Sequence, residues 1–141
     1  MLRKLSRSLQ RQAKGEVVMQ ILVVEPGKVP EIREITGTLK EMQKIVGGLI
    51  QAIYPFSEEE IALICNEEGM LLGLSPNRGL WDESGVLYDI VCGTFFLCGA
   101  PSDSETFSSL TPEQVTELER RFHTPEMFLV MEGHLVCLPM K

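Results

Sequence analysis

Apolar and polar residues in the first part of the chain follow a pattern that predicts two strands joined by a tight turn. Residues 17–25 are mostly apolar and are typical of a strand, the turn sequence Pro26-Gly27-Lys28 follows them, and residues 31–35 alternate between polar and apolar side chains. A period of two places every second side chain on the same face of a strand. The two segments therefore predict a β-hairpin.

Two later segments carry the sequence signals of a helix start. Thr38 is followed three residues later by Glu41, and Thr111 is followed by Pro112 and then by Gln114. At this spacing the threonine and the glutamate or glutamine side chains each bind a free backbone amide of the first turn. We expect one helix that ends at the glycines 47 and 48, and a second helix that runs to about residue 122.

The middle of the chain contains further apolar runs that predict strands. Residues 61–65 and 70–74 flank a polar turn and predict a second hairpin. The apolar run 86–99 is long enough to predict one central strand. Residues 49–54 fit either a strand or an extension of the preceding helix, because the run is too short to show its period.

Near the end of the chain, residues 127–130 and 135–138 predict a final hairpin. Hairpins therefore outnumber helical crossovers. The order of elements predicts an α+β fold: a largely antiparallel sheet of about five to seven strands, with two main helices packed on one face of it. We divide the chain into a basic N-terminal arm, 1–15, and a single α+β domain, 16–141.

The net charge of −7 is distributed unevenly. Residues 1–15 contain five basic residues and no acid, so the rest of the chain carries a net charge of about −12. Leu2, Leu5 and Leu9 lie at helical spacing in the arm and predict a short basic helix. This helix is either a solvated or packed arm, or an anchor to a partner or membrane. Met19 is an alternative start of translation. The acidic domain is a poor partner for nucleic acid and suits a basic protein surface instead.

No run approaches the ~20 apolar residues of a membrane-spanning helix, and we expect a cytoplasmic protein. The four cysteines lie in apolar runs without a C-x-x-C pair, which is typical of free thiols in a reducing compartment. His123, His134 and Cys137 do not have the spacing of a usual zinc site. We therefore expect no metal and no cofactor.

The most polar turn of the chain follows the apolar run 61–65. Asn66, Glu67, Glu68 and Gly69 suit a tight turn, because asparagine and glycine tolerate positive φ angles. The two carboxylates also suit hydrogen bonds from a ligand, or general acid–base chemistry. Both interpretations stay open.

A second candidate region follows the bend at Pro76. Asn77 and Arg78 place an amide and a guanidinium there, and a guanidinium binds phosphate or carboxylate groups through a rigid set of donors. The alternative is a structural ion pair between Arg78 and a nearby acid such as Asp82 or Asp89. Trp81 lies close by in the sequence and suits either core packing or stacking on a base.

Several of these segments together resemble one family. The residues that carry the resemblance are VEPGK at 24–28, VGG at 46–48, CNEEG at 65–69, GLSPNR at 73–78, DIVCGTFF at 89–96, and FSSLT at 107–111 with the later RF and PE. They are similar to the domain of unknown function 3846 family of Firmicutes, their phages and conjugative elements, over residues 21 to about 128. The resemblance implies a phage or mobile-element setting and brings no established activity with it.

Three functions are compatible with these observations. The first is a non-catalytic binding protein of a phage or mobile genetic element, in counter-defence or regulation. It engages a host protein or a nucleotide-like ligand through the candidate residues Asn66, Glu67, Glu68, Asn77, Arg78 and Trp81. The second is a small hydrolase that uses the carboxylate of Glu67 or Glu68. The third is an accessory factor that forms homo-oligomers through its sheet edges.

Overall fold

The computed structural model describes residues 18–56 and 59–140, and its centre is a five-stranded antiparallel sheet. The basic arm and its expected helix lie outside the described residues. In chain order the elements are β1 (Met19–Val24), β2 (Glu31–Ile35), α1 (Leu39–Val46), β3 (Ile50–Ile53), β4 (Ile61–Asn66), β5 (Pro76–Trp81), β6 (Leu87–Cys92), β7 (Phe95–Gly99), α2 (Pro112–Phe122), β8 (Glu126–Met131) and β9 (His134–Pro139).

The strand order of the large sheet is β2-β1-β7-β4-β3, and every neighbouring pair is antiparallel. β7 is the middle strand, and every residue of β7 and of its neighbour β4 is buried. Strands covered on both faces are apolar at nearly every position, which explains the apolar runs in these two segments. The mixed helix and strand content and the mainly antiparallel sheet confirm the α+β prediction.

The two helices lie on opposite faces of this sheet, so the prediction that both lie on one face is wrong. Phe96 and Cys98 of β7 belong to the core cluster that contains Met42 and Val46 of α1. Phe95 and Leu97 belong to the other cluster, which also contains residues of α2 and of the β5–β6 hairpin. Successive side chains of β7 point to opposite faces of the sheet, so the strand contributes to both core clusters.

Local hydrogen bonds explain where each helix starts. The Thr38 hydroxyl accepts a hydrogen bond from the Glu41 amide at 3.2 Å, and α1 ends at Gly47 with a φ of 81°. At α2, the Thr111 hydroxyl accepts from the Gln114 amide, and the Gln114 side chain accepts from the Thr111 amide. Both predicted helices are confirmed.

The prediction of a strand at 70–74 is wrong. This segment forms successive turns, in which the Leu72 amide donates to the Glu68 carbonyl at 2.8 Å and the Leu74 amide donates to the Gly69 carbonyl at 3.0 Å. Helix-like hydrogen bonds of this kind satisfy the backbone without a partner strand. The side chain of Leu71 is consequently 86% exposed.

The apolar run 86–99 is two strands in different sheets rather than one. Gly93, which has a φ of 84°, separates β6 from β7, and its amide donates to the Ser75 carbonyl at 2.7 Å. The positive φ angle turns the chain sharply, which glycine allows without strain. β6 therefore pairs with β5 in a separate two-stranded sheet.

The remaining strand predictions are confirmed in outline. β1 pairs with β2, and β8 pairs with β9 in a hairpin that contacts β5. Residues 50–53 form the edge strand β3 and do not extend α1. Within the described part of the chain, no helix combines the length and apolar character needed to cross a membrane.

We expect Leu97→Ala to lower the free energy of unfolding by about 2–5 kcal/mol, because Leu97 is fully buried in the middle strand. The matched control, Leu71→Ala, removes the same atoms from an exposed turn and should change stability by less than about 0.5 kcal/mol. Urea denaturation of the two variants measures both values. Equal losses would contradict the described core.

Candidate functional site

A cleft of about 900 Å³ lies between the β5–β6 hairpin and the C-terminal end of α2. Its sides come from parts of the chain that are far apart in sequence. The lining residues on the hairpin side are Gly79, Leu80, Trp81, Asp82, Glu83 and Tyr88. The lining residues on the other side are Pro55, Phe56, Glu59, Arg120, Arg121, Phe122 and Glu126.

Arg78 lies beneath this region and not in it. Its side chain is 1% exposed, and its guanidinium makes five hydrogen bonds. Nε and Nη2 donate to the Phe122 carbonyl at 3.1 and 2.9 Å, and Nη2 also donates to the Lys28 carbonyl at 2.7 Å. Nη1 donates to the backbone and side-chain oxygens of Asn77 at 3.4 and 2.9 Å.

The guanidinium of Arg78 is therefore held mainly by carbonyl dipoles. The Phe122 carbonyl belongs to the last residue of α2, where the helix dipole is negative and favours a cation. Burial lowers the pKa of Arg78, while the nearby Glu126 carboxylate acts in the opposite direction. Arginine keeps its charge in this environment because its ordinary pKa is far above neutral pH.

Asn77 occupies an irregular position in β5, where the register with β6 shifts between Pro76 and Arg78. An extra residue of this kind redirects a side chain relative to a regular strand. The Asn77 amide nitrogen donates to the carbonyls of Val24 and Gly93, each at 2.9 Å. Asn77 thereby joins β5 to the end of β1 and to the break before β7.

Asn77 and Arg78 are both buried and do not line the cleft, which favours a structural role for them over the ligand contact that their sequence suggested. The alternative prediction, an ion pair of Arg78 with Asp82 or Asp89, is wrong, because the guanidinium donates to Phe122, Lys28 and Asn77 instead. Asp89 is exposed on β6, and its carboxylate accepts a hydrogen bond from the Ile90 amide at 2.8 Å. The sequence could not show that backbone carbonyls would take the place of a carboxylate partner.

The turn after β4 has a structural role at its first residue. Asn66 is buried, its side-chain nitrogen donates to the Val46 carbonyl at 3.2 Å, and its side-chain oxygen accepts from the Glu68 amide at 2.7 Å. Asn66 thus connects α1 to the turn. The carboxylates of Glu67 and Glu68 are exposed, and they do not line the cleft. Ligand contact by these two residues stays a prediction.

Trp81 is the only one of the six predicted site residues that lines the cleft. Its side chain is 46% exposed, and Tyr88 on the paired strand is 52% exposed. Gly79 leaves room for this arrangement, since an added Cβ atom would lie 2.5 Å from Cδ1 of Leu87 and 3.3 Å from Nε1 of Trp81. A larger residue at position 79 would force the Leu87 side chain to move and would press against the indole ring.

The helix side of the cleft is built around Arg121. Its guanidinium carbon lies 4.4 Å from the centre of the Phe56 ring, and Nη2 lies 3.5 Å from a Glu59 carboxylate oxygen. Nε of Arg121 also lies 3.9 Å from Glu117, which binds Arg120 at the same time. Sequence reasoning missed this cluster, because Phe56 and Glu59 precede Arg121 by about sixty positions and carry no local signal.

Glu126, the first residue of β8, connects the final hairpin to β5. Its carboxylate oxygen Oε1 accepts from the Gly79 amide at 2.7 Å and from the Cys137 thiol at 3.1 Å. Burial raises the pKa of Cys137 to about 12, and the hydrogen bond and charge of Glu126 act in the same direction. The described residues contain no group of three His, Cys, Asp or Glu side chains placed to hold a metal ion.

We expect Arg78→Met to destabilise the protein by roughly 3 kcal/mol, because it leaves the buried carbonyl of Phe122 and the part-buried carbonyl of Lys28 without this donor. Arg33→Met serves as the control, since Arg33 forms an exposed ion pair with Glu31. That change should alter stability by about 1 kcal/mol or less. Thermal unfolding compares the two, and a wild-type melting temperature for Arg78→Met would contradict the described network.

We expect iodoacetamide to alkylate Cys137 slowly in the native protein at pH 8. The thiolate is the reactive form, and a pKa raised from 9.0 to about 12 reduces its population roughly a thousandfold. Glu126→Gln removes the nearby negative charge, so the pKa should fall and the rate should rise. Mass spectrometry of tryptic peptides follows the reaction, with Cys92 as the internal control. Fast alkylation of Cys137 in the unaltered protein would refute the described contact.

Comparison with known protein families identifies one family. The sequence profile of the family described as Domain of unknown function (DUF3846) matches residues 19–123, from the start of β1 to the residue after α2. No curated protein matches, and no solved structure matches. Because the matched region is well over half of the chain, the resemblance found in the sequence motifs is confirmed, and the chain belongs to the DUF3846 family.

Proposed function

We propose that this chain is a non-catalytic binding protein that holds a ligand or partner in the cleft between α2 and the β5–β6 hairpin. The observation that carries the proposal is the exposure of Trp81 and Tyr88 on one side of a cleft of about 900 Å³. Ligand sites typically have volumes of roughly 300–1,000 Å³ and are lined by aromatic side chains. Exposed aromatic residues of this kind often provide most of the binding energy.

The rigid surroundings of the cleft support the same proposal. Arg78 ties β5 to the end of α2, and Glu126 ties β5 to β8, so both sides of the cleft are fixed from beneath. A site that is ordered before binding loses less conformational entropy when the ligand arrives. The hydrogen bonds of Arg78 and Glu126 thus favour a cleft that already has its binding shape before the ligand arrives.

The proposed occupant is a host protein or a nucleotide-like ligand, and the proposed setting is a phage or mobile genetic element, in counter-defence or regulation. The setting is supported by the motifs shared with the DUF3846 family. A flat base fits the aromatic side chains Trp81 and Tyr88 by stacking, and so do the side chains of a protein partner.

An oligomerising accessory factor is a second candidate, favoured by apolar side chains on the final hairpin. Met127, Leu129, Val130, Leu135 and Leu138 are all exposed there. The hydrolase alternative has less support, because Glu67 and Glu68 lie on an exposed turn outside the cleft.

The binding proposal is tested through Trp81, which is the only tryptophan of the chain. The probes are nucleotides, cyclic nucleotides and short peptides of either charge. A probe that occupies the cleft should change the Trp81 emission and raise the melting temperature, because binding to the folded state stabilises it.

The variant Tyr88→Ala should weaken that binding about tenfold or more, as expected for an aromatic contact residue. Leu71→Ala removes an exposed apolar side chain elsewhere and should leave the affinity unchanged. Calorimetry extends the comparison to Trp81→Ala, which lacks the fluorescent reporter. The proposal fails if no probe alters the emission or the melting temperature, or if Leu71→Ala and Tyr88→Ala weaken binding equally.

A further inference from the structure

The charged groups of the cleft are unequal in number. Four carboxylates line it, those of Glu59, Asp82, Glu83 and Glu126, against the two guanidinium groups of Arg120 and Arg121. The domain as a whole is also acidic, with a net charge of about −12 from residue 16 onward. The electrostatic field of the cleft and that of the whole domain therefore both attract cations and repel phosphate groups.

Contacts within the protein already neutralise most of these charges. Arg121 lies within ion-pair distance of Glu59, and Arg120 and Arg121 share Glu117. Glu126 accepts two hydrogen bonds and interacts electrostatically with the buried Arg78. The arginines of the cleft thus each have a carboxylate partner in the protein, and a phosphate group would have to compete with these carboxylates.

Asp82 and Glu83 are different. Neither takes part in an ion pair within residues 18–56 and 59–140. Both are exposed, and they directly follow Trp81 at the end of β5. Asp82 accepts hydrogen bonds from the amides of Ser84 and Val86, each at 2.9 Å, so its position in the turn is fixed. Two uncompensated carboxylates consequently lie beside two exposed aromatic rings.

This combination suits a cation rather than an anion. The face of an aromatic ring attracts a guanidinium or ammonium group, and tryptophan does so most strongly. A neighbouring carboxylate adds a charged hydrogen-bond acceptor for the same group. The cleft is at the upper end of the usual range of ligand-site volumes, so it has room for several side chains of an extended peptide.

We infer that the cleft recognises a basic segment of a partner protein, with an arginine or lysine side chain lying against Trp81 or Tyr88 and facing the carboxylates of Asp82 and Glu83. The inference rests on the proposed function and selects the protein partner over the nucleotide. Charge complementarity between an acidic surface and a basic segment also accelerates association and makes it sensitive to salt.

The test uses the full chain and follows the emission of Trp81. The probes are a peptide of alternating glycine and arginine with blocked ends, a peptide of alternating glycine and glutamate with the same length, and AMP. The arginine peptide should change the emission in a saturable way, and the other two probes should not. Raising the ionic strength from about 0.01 to about 0.15 M shortens the electrostatic screening length from ~30 to ~8 Å. The affinity for the arginine peptide should therefore fall.

A double variant, Asp82→Asn with Glu83→Gln, isolates the role of the two carboxylates. Asparagine keeps an oxygen that can accept the hydrogen bonds from Ser84 and Val86, so the turn is preserved. The affinity for the arginine peptide should fall about tenfold, as expected for two partly exposed charge contacts. The control, Glu31→Gln with Glu34→Gln, removes the same charge from the outer strand β2 and should have little effect.

Each contrary result has a separate meaning. If AMP or the glutamate peptide binds in preference to the arginine peptide, and Tyr88→Ala abolishes that binding, the basic-segment inference is overturned while the binding function stands. If both double variants lower the affinity for the arginine peptide equally, the peptide binds through the overall negative charge of the domain and not through the cleft. The inference is then overturned. If none of the three probes changes the Trp81 emission, the inference is overturned, and the wider probe panel decides the binding function.

Discussion

The hydrogen bonds of the Arg78 guanidinium are the interaction on which the rest of the structure depends. They join β5, the end of α2 and the turn between β1 and β2, which are distant in sequence. A buried cation is unfavourable unless its donors are satisfied, and here five hydrogen bonds correspond to the five N–H groups of arginine. The carbonyl at the negative end of a helix dipole contributes to that compensation.

The cleft exists because the second layer on this face of the sheet is incomplete. α2 and the β5–β6 hairpin both cover the same side of the large sheet, and their contributions meet in one core cluster. The cleft lies along their boundary, between Phe122 at the end of the helix and Leu80 on the strand. The network of Arg78 holds the two elements together underneath, so the opening at the surface does not separate them.

The part of the chain that matches the family, residues 19–123, and the β8–β9 hairpin that follows it both contribute to the cleft. The family match ends at residue 123, and Glu126 lies just beyond it. Glu126 nevertheless binds the Gly79 amide of β5 and lines the cleft. The hairpin therefore acts as a support for one side of a site whose aromatic residues, Trp81 and Tyr88, belong to the family region.

Secondary structure with local causes could be predicted from the sequence. The capping pairs at Thr38 and Thr111 fixed the helix starts, because each pair acts within one turn of chain. The turn residues of the first and last hairpins acted over similarly short distances. Apolar runs indicated β4 and, within the longer run 86–99, β7, because strands buried on both faces have few polar positions.

Only the tertiary structure decided which polar residues are buried and which are exposed. Arg78 is charged and was expected at the surface, but its donors reach carbonyls that other elements bring to it. Trp81 could be core or surface on sequence alone, and the tertiary structure leaves it half-exposed at the side of the cleft. Phe56 and Arg121 form one cluster only because folding brings two distant segments together. Contacts over such sequence separations depend on the whole chain, so no local pattern of residues determines them.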